Sequence, residues 1–102
     1  MNGTRRVRFF PRAIRDLEDL DRRYSRQVLE DIERLARPPW PPAKVKKLRG
    51  LSLWEVKTGD YRSLFVIKRN DLIIVRVVNR RDLERAIGRI DVRVILAWLQ
   101  EA

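Results

Sequence analysis

"LSLWEVKTGDYRSLFVIKRNDLIIVRVV", residues 51–78, contains three largely apolar stretches separated by two short polar turns. Leu51 to Lys57, Tyr61 to Lys68 and Leu72 to Val78 are rich in β-branched and aromatic residues, which predicts three strands. The turns Gly59-Asp60 and Asn70-Asp71 contain residues that tolerate positive φ, so consecutive strands are expected to pair antiparallel. Because the third stretch begins with four apolar residues in a row, it is expected to be central and covered on both faces.

The segment before these strands predicts one strand and a helical hairpin. Residues 5–10, RRVRFF, are typical of a short strand that ends at Pro11. Apolar residues then recur at helical spacing, and Ser25 is predicted to cap a second helix that ends at the linker RPPWPPA, residues 37–43. The four prolines of the linker fix φ and withhold backbone donors, which favours a stiff connection.

After the strands, the sequence NRRDLERAIGRID is dense in charge and precedes a final helix. Ile90, Val94 and Trp98 are expected to share one face of that helix, and Gly88 to separate it from the charged segment. The predicted fold is therefore α+β: an N-terminal strand, a helical hairpin, a three-stranded antiparallel meander and a C-terminal helix. A chain of 102 residues is expected to form a single domain, residues 1–102.

The composition excludes several kinds of chemistry. The chain contains no cysteine and no histidine, which removes disulfides, the usual zinc sites and imidazole acid–base catalysis. We therefore expect no metal and no cofactor. The longest apolar run, Val94 to Leu99, is too short to span a bilayer, so the sequence predicts a soluble, cytoplasmic protein with no membrane partner.

The net charge of +10, from 24 basic and 14 acidic residues, favours a polyanionic partner, above all nucleic acid. The excess of arginine over lysine has a second interpretation, since coding bias or a thermophilic surface would also produce it.

Three motifs carry a family resemblance. "KKLRG", "LWEVKTGDYRSLFVI" and "NRRDLER" follow the helical hairpin in this order, and the arrangement resembles the RelE/ParE superfamily of bacterial toxin–antitoxin toxins. The resemblance implies a compact RelE-like fold, toxicity when free, and a cognate antitoxin encoded beside the toxin. RelE-like members cleave messenger RNA in the A site of the 30S ribosomal subunit, whereas ParE-like members poison DNA gyrase. The resemblance leaves both branches open. A third hypothesis is a plain nucleic-acid-binding module, which requires only the net positive charge.

RNA cleavage without metal or histidine must use the substrate's own 2′-hydroxyl group as the nucleophile. The resemblance places Arg62 on the concave face of the sheet as a phosphate clamp, with Arg80 or Arg81 as a second clamp. It also places Lys57 where a basic residue transfers a proton. The other interpretations are an ion pair of Arg62 with Glu55 and a solvated, self-paired charge run at Arg80 and Arg81.

Two departures from the RelE pattern weaken the nuclease interpretation, and a third residue, Glu55, changes the charge of the site. Asn79 stands where many relatives have histidine, and Glu84 or Ile87 stands where they have the C-terminal tyrosine. Glu84 is expected to replace that tyrosine as acid or base. Glu55 occupies the place of a second basic strand residue and can act as a base only if it faces the groove. Tyr61 is expected to be a sheet or core residue.

Further expectations concern nucleic-acid contacts and the antitoxin. The basic run Lys44, Lys46, Lys47 and Arg49 is predicted to contact backbone phosphates, or else to be a solvated approach to the strand. Trp54 and Trp98 are expected in the core, whereas Trp40 is expected to be exposed or to cover a helix edge. The antitoxin is predicted to present an acidic amphipathic helix that inserts against the sheet or displaces residues 89–101.

Overall fold

Five strands form one mixed sheet in the computed structural model, which describes residues 4–48 and 50–101. The strand order is β1-β5-β4-β3-β2; β1 is parallel to β5, and all other neighbours are antiparallel. The elements are β1 (Arg6–Phe9), α1 (Pro11–Glu18), α2 (Arg22–Arg34), β2 (Val45–Lys47), β3 (Trp54–Thr58), β4 (Tyr61–Lys68), β5 (Asp71–Asn79), a 3₁₀ turn (Arg80–Asp82), α3 (Leu83–Arg89) and α4 (Val92–Glu101). The predicted α+β architecture is confirmed.

The antiparallel meander β3–β4–β5 follows the predicted order and turns, with two differences in detail. Strand β3 begins at Trp54 rather than at Leu51. Its pairing with β2 runs from Val56 to Trp54, and just beyond this pair Leu48 N–H donates to the Leu53 carbonyl at 2.8 Å. The pairing of β4 with β5 shifts register between Leu64 and Phe65. The shift leaves one extra residue on β5, as in a β-bulge.

The sheet also contains β2, a strand that the sequence did not predict. Its three residues pair antiparallel with β3 at one edge of the sheet. A strand this short carries too few residues for an alternating apolar pattern to stand out from its basic neighbours.

Helices cover both faces of the central strands. The helical hairpin packs Val28 and Ile32 of α2 onto one face, against Phe65 and Ile74. The other face carries Ile73 and Val75 and is covered by Ala86 of α3 and Ile95 of α4. Strand β5 is therefore central and buried on both sides, as its apolar run predicted.

The helix boundaries differ from the sequence prediction at two places. Helix α2 begins at Arg22, because the Asp21 carboxylate accepts a hydrogen bond from Arg23 N–H at 2.9 Å and caps the helix ahead of Ser25. The break before α4 lies at residues 90–91 rather than at Gly88. At the start of α4, the Asp91 carboxylate accepts a hydrogen bond from Arg93 N–H at 2.9 Å. The buried face of α4 is consequently centred on Ile95, and Val94 is 54% exposed.

The tryptophans pack against the core clusters. Trp54 stacks on Phe65, and Trp98 meets Phe10 edge to face, with ring centroids 5.3 Å apart in the second pair. Trp40 packs edge-on against Trp54 and donates its indole N–H to the Leu35 carbonyl at 2.9 Å. The linker is thus fastened to the end of α2. In residues 4–48 and 50–101, every helix falls short of the length and apolar content needed to cross a membrane.

Buried Asp16 ties α1 to β5. Its carboxylate accepts from the Arg76 guanidinium at 2.8 Å and from Val77 N–H at 2.9 Å, and Arg12 lies 3.4 Å away. Asp71 makes a more exposed link between β1 and β5. The Arg6 guanidinium donates to its carboxylate at 2.9 and 3.2 Å, which lowers the pKa of Asp71 below its ordinary value.

Replacing Asp16 is expected to destabilise the fold strongly. Asp16→Asn should lower the free energy of unfolding by about 3 kcal/mol, since the Arg76 guanidinium is left largely buried without its counter-charge. Urea unfolding of wild type and variant measures the difference. The exposed Glu18→Gln on the same helix is the control, expected within about 0.5 kcal/mol; an equally mild effect at Asp16 would contradict the assigned role.

The Asp71 contact predicts a pH dependence. A carboxylate whose pKa is lowered in the folded state stabilises the fold above its unfolded pKa of about 3.9, and the stabilisation is lost as pH falls through the folded value. The difference in unfolding free energy between wild type and Asp71→Asn should therefore be constant near neutral pH and shrink below about pH 4. Chemical unfolding at a series of pH values tests this, and a difference that persists in strong acid would refute it.

Candidate functional site

Strands β2, β3 and β4 place four charged side chains on one face of the sheet. Lys46 lies opposite Glu55, and Lys57 lies opposite Arg62. Directly opposed residues of antiparallel strands project to the same side, and the intervening residue Val56 packs on the other side with the helical hairpin. We call Lys46, Glu55, Lys57 and Arg62 the basic face.

Glu55 and Arg62 form an ion pair at the centre of the basic face. Arg62 Nε lies 3.6 Å from a Glu55 carboxylate oxygen, and the two side chains are 12% and 2% exposed, respectively. Arg62 Nη1 also donates to the carbonyls of Gly59 and Tyr61 at 2.9 and 3.0 Å. The carboxylate contact anticipated as the alternative for Arg62 is therefore present, and Arg62 is not a free guanidinium.

The hydrogen-bonding capacity of this pair is incompletely used. Within residues 4–48 and 50–101, the Glu55 carboxylate accepts no hydrogen bond and Arg62 Nη2 donates none. The Glu55 oxygens are not among the fully buried polar atoms that lack a partner, so the tip of the carboxylate still reaches solvent although the side chain is only 2% exposed. The pair thus has one acceptor group and one donor group available for a further contact.

Arg80 lies at the same end of the sheet as Arg62. Its backbone N–H donates to the Asp60 carbonyl at 2.7 Å, and its Nε lies 3.5 Å from the Asp60 carboxylate. Asp60 belongs to the β3–β4 turn, whose Gly59 carbonyl holds Arg62. Glu84 follows Arg80 by about one helical turn and is exposed.

Arg81 points elsewhere. It lines a groove of about 400 Å³ between α1 and α3, and Arg62 is not among the residues that line this groove. Of the two, Arg80 contacts the β3–β4 turn that also holds Arg62, and the shared hollow of Arg62 with Arg80 or Arg81 stays a prediction. Alternation explains the difference, since successive residues after β5 leave the strand in different directions.

The basic run of residues 44–49 does not form one surface. Lys44 pairs with Asp31 of α2 at 2.8 Å, so it braces the helical hairpin. Lys46 joins the basic face, whereas Lys47 lies opposite Trp54 and projects to the other side. Arg49 lies outside the described residues. Tyr61 packs against the core beside the hairpin, as predicted.

Sequence reasoning missed the contributions of Lys46 and of the α1–α3 groove. Lys46 could be assigned to the basic face only once β2 was recognised as a strand in register with β3. The sequence does contain a pattern that points to the groove. Arg81, Arg85 and Arg89 recur at intervals of four residues, which places them on one side of a helix.

Comparison with known proteins gives one family match. The model of the family described as the ParE toxin of type II toxin–antitoxin systems, parDE, matches residues 7–84. No curated protein sequence matches the chain significantly.

Solved structures of toxin–antitoxin complexes share the fold. The RelBE2 complex from Mycobacterium tuberculosis aligns at 31% identity and TM-score 0.64, over 74% of this chain and 91% of that chain. The archaeal RelE–RelB complex from Pyrococcus horikoshii OT3 aligns at 27% identity and TM-score 0.65, over 76% and 96%. The Escherichia coli RelBE complex, at 19% identity and TM-score 0.63, covers 74% and 95%.

The Glu55–Arg62 contact predicts energetic coupling. Arg62→Gln should lower the free energy of unfolding by about 3 kcal/mol, because Glu55 remains buried without a cation. The double variant Glu55→Gln/Arg62→Gln should cost about 1–2 kcal/mol less than the two single changes together. Urea unfolding of the four proteins completes the cycle, with exposed Arg80→Gln as the control; strictly additive changes would mean that the two groups do not interact.

Proposed function

The chain belongs to the ParE toxin family of the RelE/ParE superfamily, and from that premise we propose that it is a ribosome-dependent endoribonuclease. As a toxin of a type II toxin–antitoxin system, it would cleave messenger RNA in the 30S A site by metal-independent transesterification. The single observation that carries this proposal is the buried Glu55 carboxylate, paired with Arg62 at 3.6 Å and free of hydrogen bonds from residues 4–48 and 50–101.

Glu55 is the general base of the proposed reaction. Its carboxylate takes the proton from the 2′-hydroxyl group, whose oxygen then attacks the adjacent phosphorus. The bond from phosphorus to the 5′-oxygen of the next nucleotide breaks, and that oxygen receives a proton from Lys57. The products are a 2′,3′-cyclic phosphate and a free 5′-hydroxyl group.

Arg62 has two tasks in this scheme. Its Nε side orients the Glu55 carboxylate from 3.6 Å, and its unused Nη2 donates to an oxygen of the scissile phosphate. Arg80 adds a second guanidinium once its 3.5 Å contact with exposed Asp60 opens. The approach of the phosphate draws Arg62 from Glu55, which frees the carboxylate to accept its proton. Glu84, one turn after Arg80, is the nearest counterpart of the tyrosine in relatives and stays a candidate acid.

Two solved structures above 25% identity, the RelBE2 complex and the Pyrococcus horikoshii complex, support the RelE-like branch. Both contain a RelE protein in complex with RelB. By the same likeness, this chain is proposed to bind a cognate antitoxin. A net charge of +10 favours an acidic antitoxin segment, because covering this many arginines without counter-charges would be costly.

DNA gyrase inhibition is the second candidate. The same ion pair favours it under another interpretation. The Glu55 carboxylate already compensates the charge of Arg62, so Arg62 is a weaker phosphate clamp. Asn79 and Glu84 in place of the histidine and tyrosine of many relatives point in the same direction. In this case the toxin would act by binding rather than by chemistry.

Glu55→Gln separates the two candidates. Since glutamine cannot accept the 2′-hydroxyl proton, the variant should cleave ribosome-bound messenger RNA at least about 100-fold more slowly than wild type. Primer extension on messages from a purified translation reaction measures the cuts. Exposed Glu33→Gln on α2 is the matched control and should cleave at the wild-type rate.

Arg62 supplies the second arm of the same assay. Arg62→Lys keeps the charge near Glu55 but loses the planar fork, and it should slow cleavage by about 10- to 100-fold. A supercoiling reaction with DNA gyrase runs in parallel. Intact messages with inhibited supercoiling would overturn the nuclease proposal in favour of the gyrase-directed one, and equal cleavage by Glu55→Gln and wild type would remove Glu55 as the base.

A further inference from the structure

The groove between α1 and α3 carries a row of arginines that the proposed cleavage does not use. Arg81, Arg85 and Arg89 follow one another at intervals of four residues along the 3₁₀ turn and α3, and all three line the groove. At a rise of about 1.5 Å per residue, their Cα atoms are spaced roughly 6 Å apart along the helix. A regular row of guanidinium groups fits a repeating anion better than a single one.

The positive charge of this row is only partly compensated. Arg85 lies 3.9 Å from the Asp82 carboxylate, a long contact between two exposed groups. Among the described residues, no carboxylate lies within 4 Å of the Arg81 or Arg89 guanidinium.

The acid at the base of the groove is already occupied. Asp16 accepts from the Arg76 guanidinium and from Val77 N–H, and Arg12 approaches it at 3.4 Å. Its single negative charge is therefore shared by the arginines of its own network and does not compensate the row on α3. The other two carboxylates of the lining are Asp82, beside Arg85, and Asp19, which is exposed at the end of α1.

The other lining residues suit a nucleic acid. Tyr61 lines the groove while its ring also packs against the core and Tyr24, and the Asn79 carboxamide holds Arg81 N–H with its oxygen, which leaves its NH₂ group for an outside acceptor. Aromatic rings beside rows of cations are the usual features of single-strand binding sites. The apolar lining consists of small or partly covered residues, Leu20, Val77, Val78 and Ala86, so the groove lacks the large apolar pocket that anchors a protein partner.

We propose that the α1–α3 groove binds the phosphate backbone of single-stranded RNA through Arg81, Arg85 and Arg89. The site is separate from the basic face, because none of Glu55, Lys57 and Arg62 lines it. RNA is favoured over DNA because the Tyr61 hydroxyl can accept a hydrogen bond from a ribose 2′-hydroxyl group and the Asn79 NH₂ group can donate one to it, and DNA lacks this group. Binding here holds the strand without reading its sequence.

Equilibrium binding of a fluorescent single-stranded RNA oligonucleotide of mixed sequence tests the proposal. The reaction contains no ribosomes, so binding is measured apart from cleavage, and a gel confirms that the probe stays intact. The triple variant Arg81→Gln/Arg85→Gln/Arg89→Gln should bind at least about 10-fold more weakly at low salt. The slope of log affinity against log salt should fall by about 2, the value for three lost phosphate contacts on a single strand.

A matched control removes the same charge elsewhere. Arg22→Gln/Arg26→Gln/Arg34→Gln changes three exposed arginines of α2. It should leave the salt slope unchanged and alter affinity by less than about 3-fold. An equal loss of RNA affinity in the two triple variants would overturn the proposal, because the net positive charge of the protein would then explain the binding.

Two more arms keep the test decisive. Arg81→Lys/Arg85→Lys/Arg89→Lys keeps the charges should the glutamine variant fail to fold, and it should retain the salt slope. Single-stranded DNA of the same sequence should bind several-fold more weakly than RNA. Equal or tighter DNA binding would refute the RNA assignment, and displacement of RNA by an equal charge of polyglutamate would refute a phosphate site.

Discussion

The antiparallel pairing of β3 with β4 is the constraint on which the site depends. It sets Lys57 directly opposite Arg62 and brings Glu55 within 3.6 Å of the same guanidinium. Because side chains alternate along each strand, the same register sends Val56 and Phe65 into the core under the helical hairpin. A slip of one residue would bury the charges and expose the core, so the fold's stability enforces the geometry of the basic face.

The helices decide where chemistry can occur. The hairpin α1–α2 covers one face of the sheet, and α3 with α4 covers the β5 side of the other. This arrangement leaves cations on the β2–β4 part of the second face and in the groove between α1 and α3. Arg80 and Arg81 lie in different places although they are adjacent in sequence. Arg80 lies at the β3–β4 turn, and Arg81 lies in the α1–α3 groove.

The sequence predicted the parts whose signals are local. The three strands of the meander, both turns and the central position of β5 follow from apolar runs and turn residues. Strand β2 was missed because three residues carry no period, and the cap of α2 was misplaced because Asp21 and Ser25 are both good caps. The pairing of Glu55 with Arg62 was foreseen only as an alternative, since choosing between a substrate phosphate and a neighbouring carboxylate requires the register and burial. The groove depends on α1, β5 and α3 meeting, which no local pattern encodes.

The central claim is that Glu55 and Arg62 promote attack by the substrate's own 2′-hydroxyl group. Its most direct test is single-turnover cleavage of two messages on purified ribosomes, identical except for a 2′-deoxy sugar at the scissile nucleotide of the A site. The account predicts a 2′,3′-cyclic phosphate on the ribose message and no cleavage of the deoxy message. Cleavage of both messages at equal rates would contradict it.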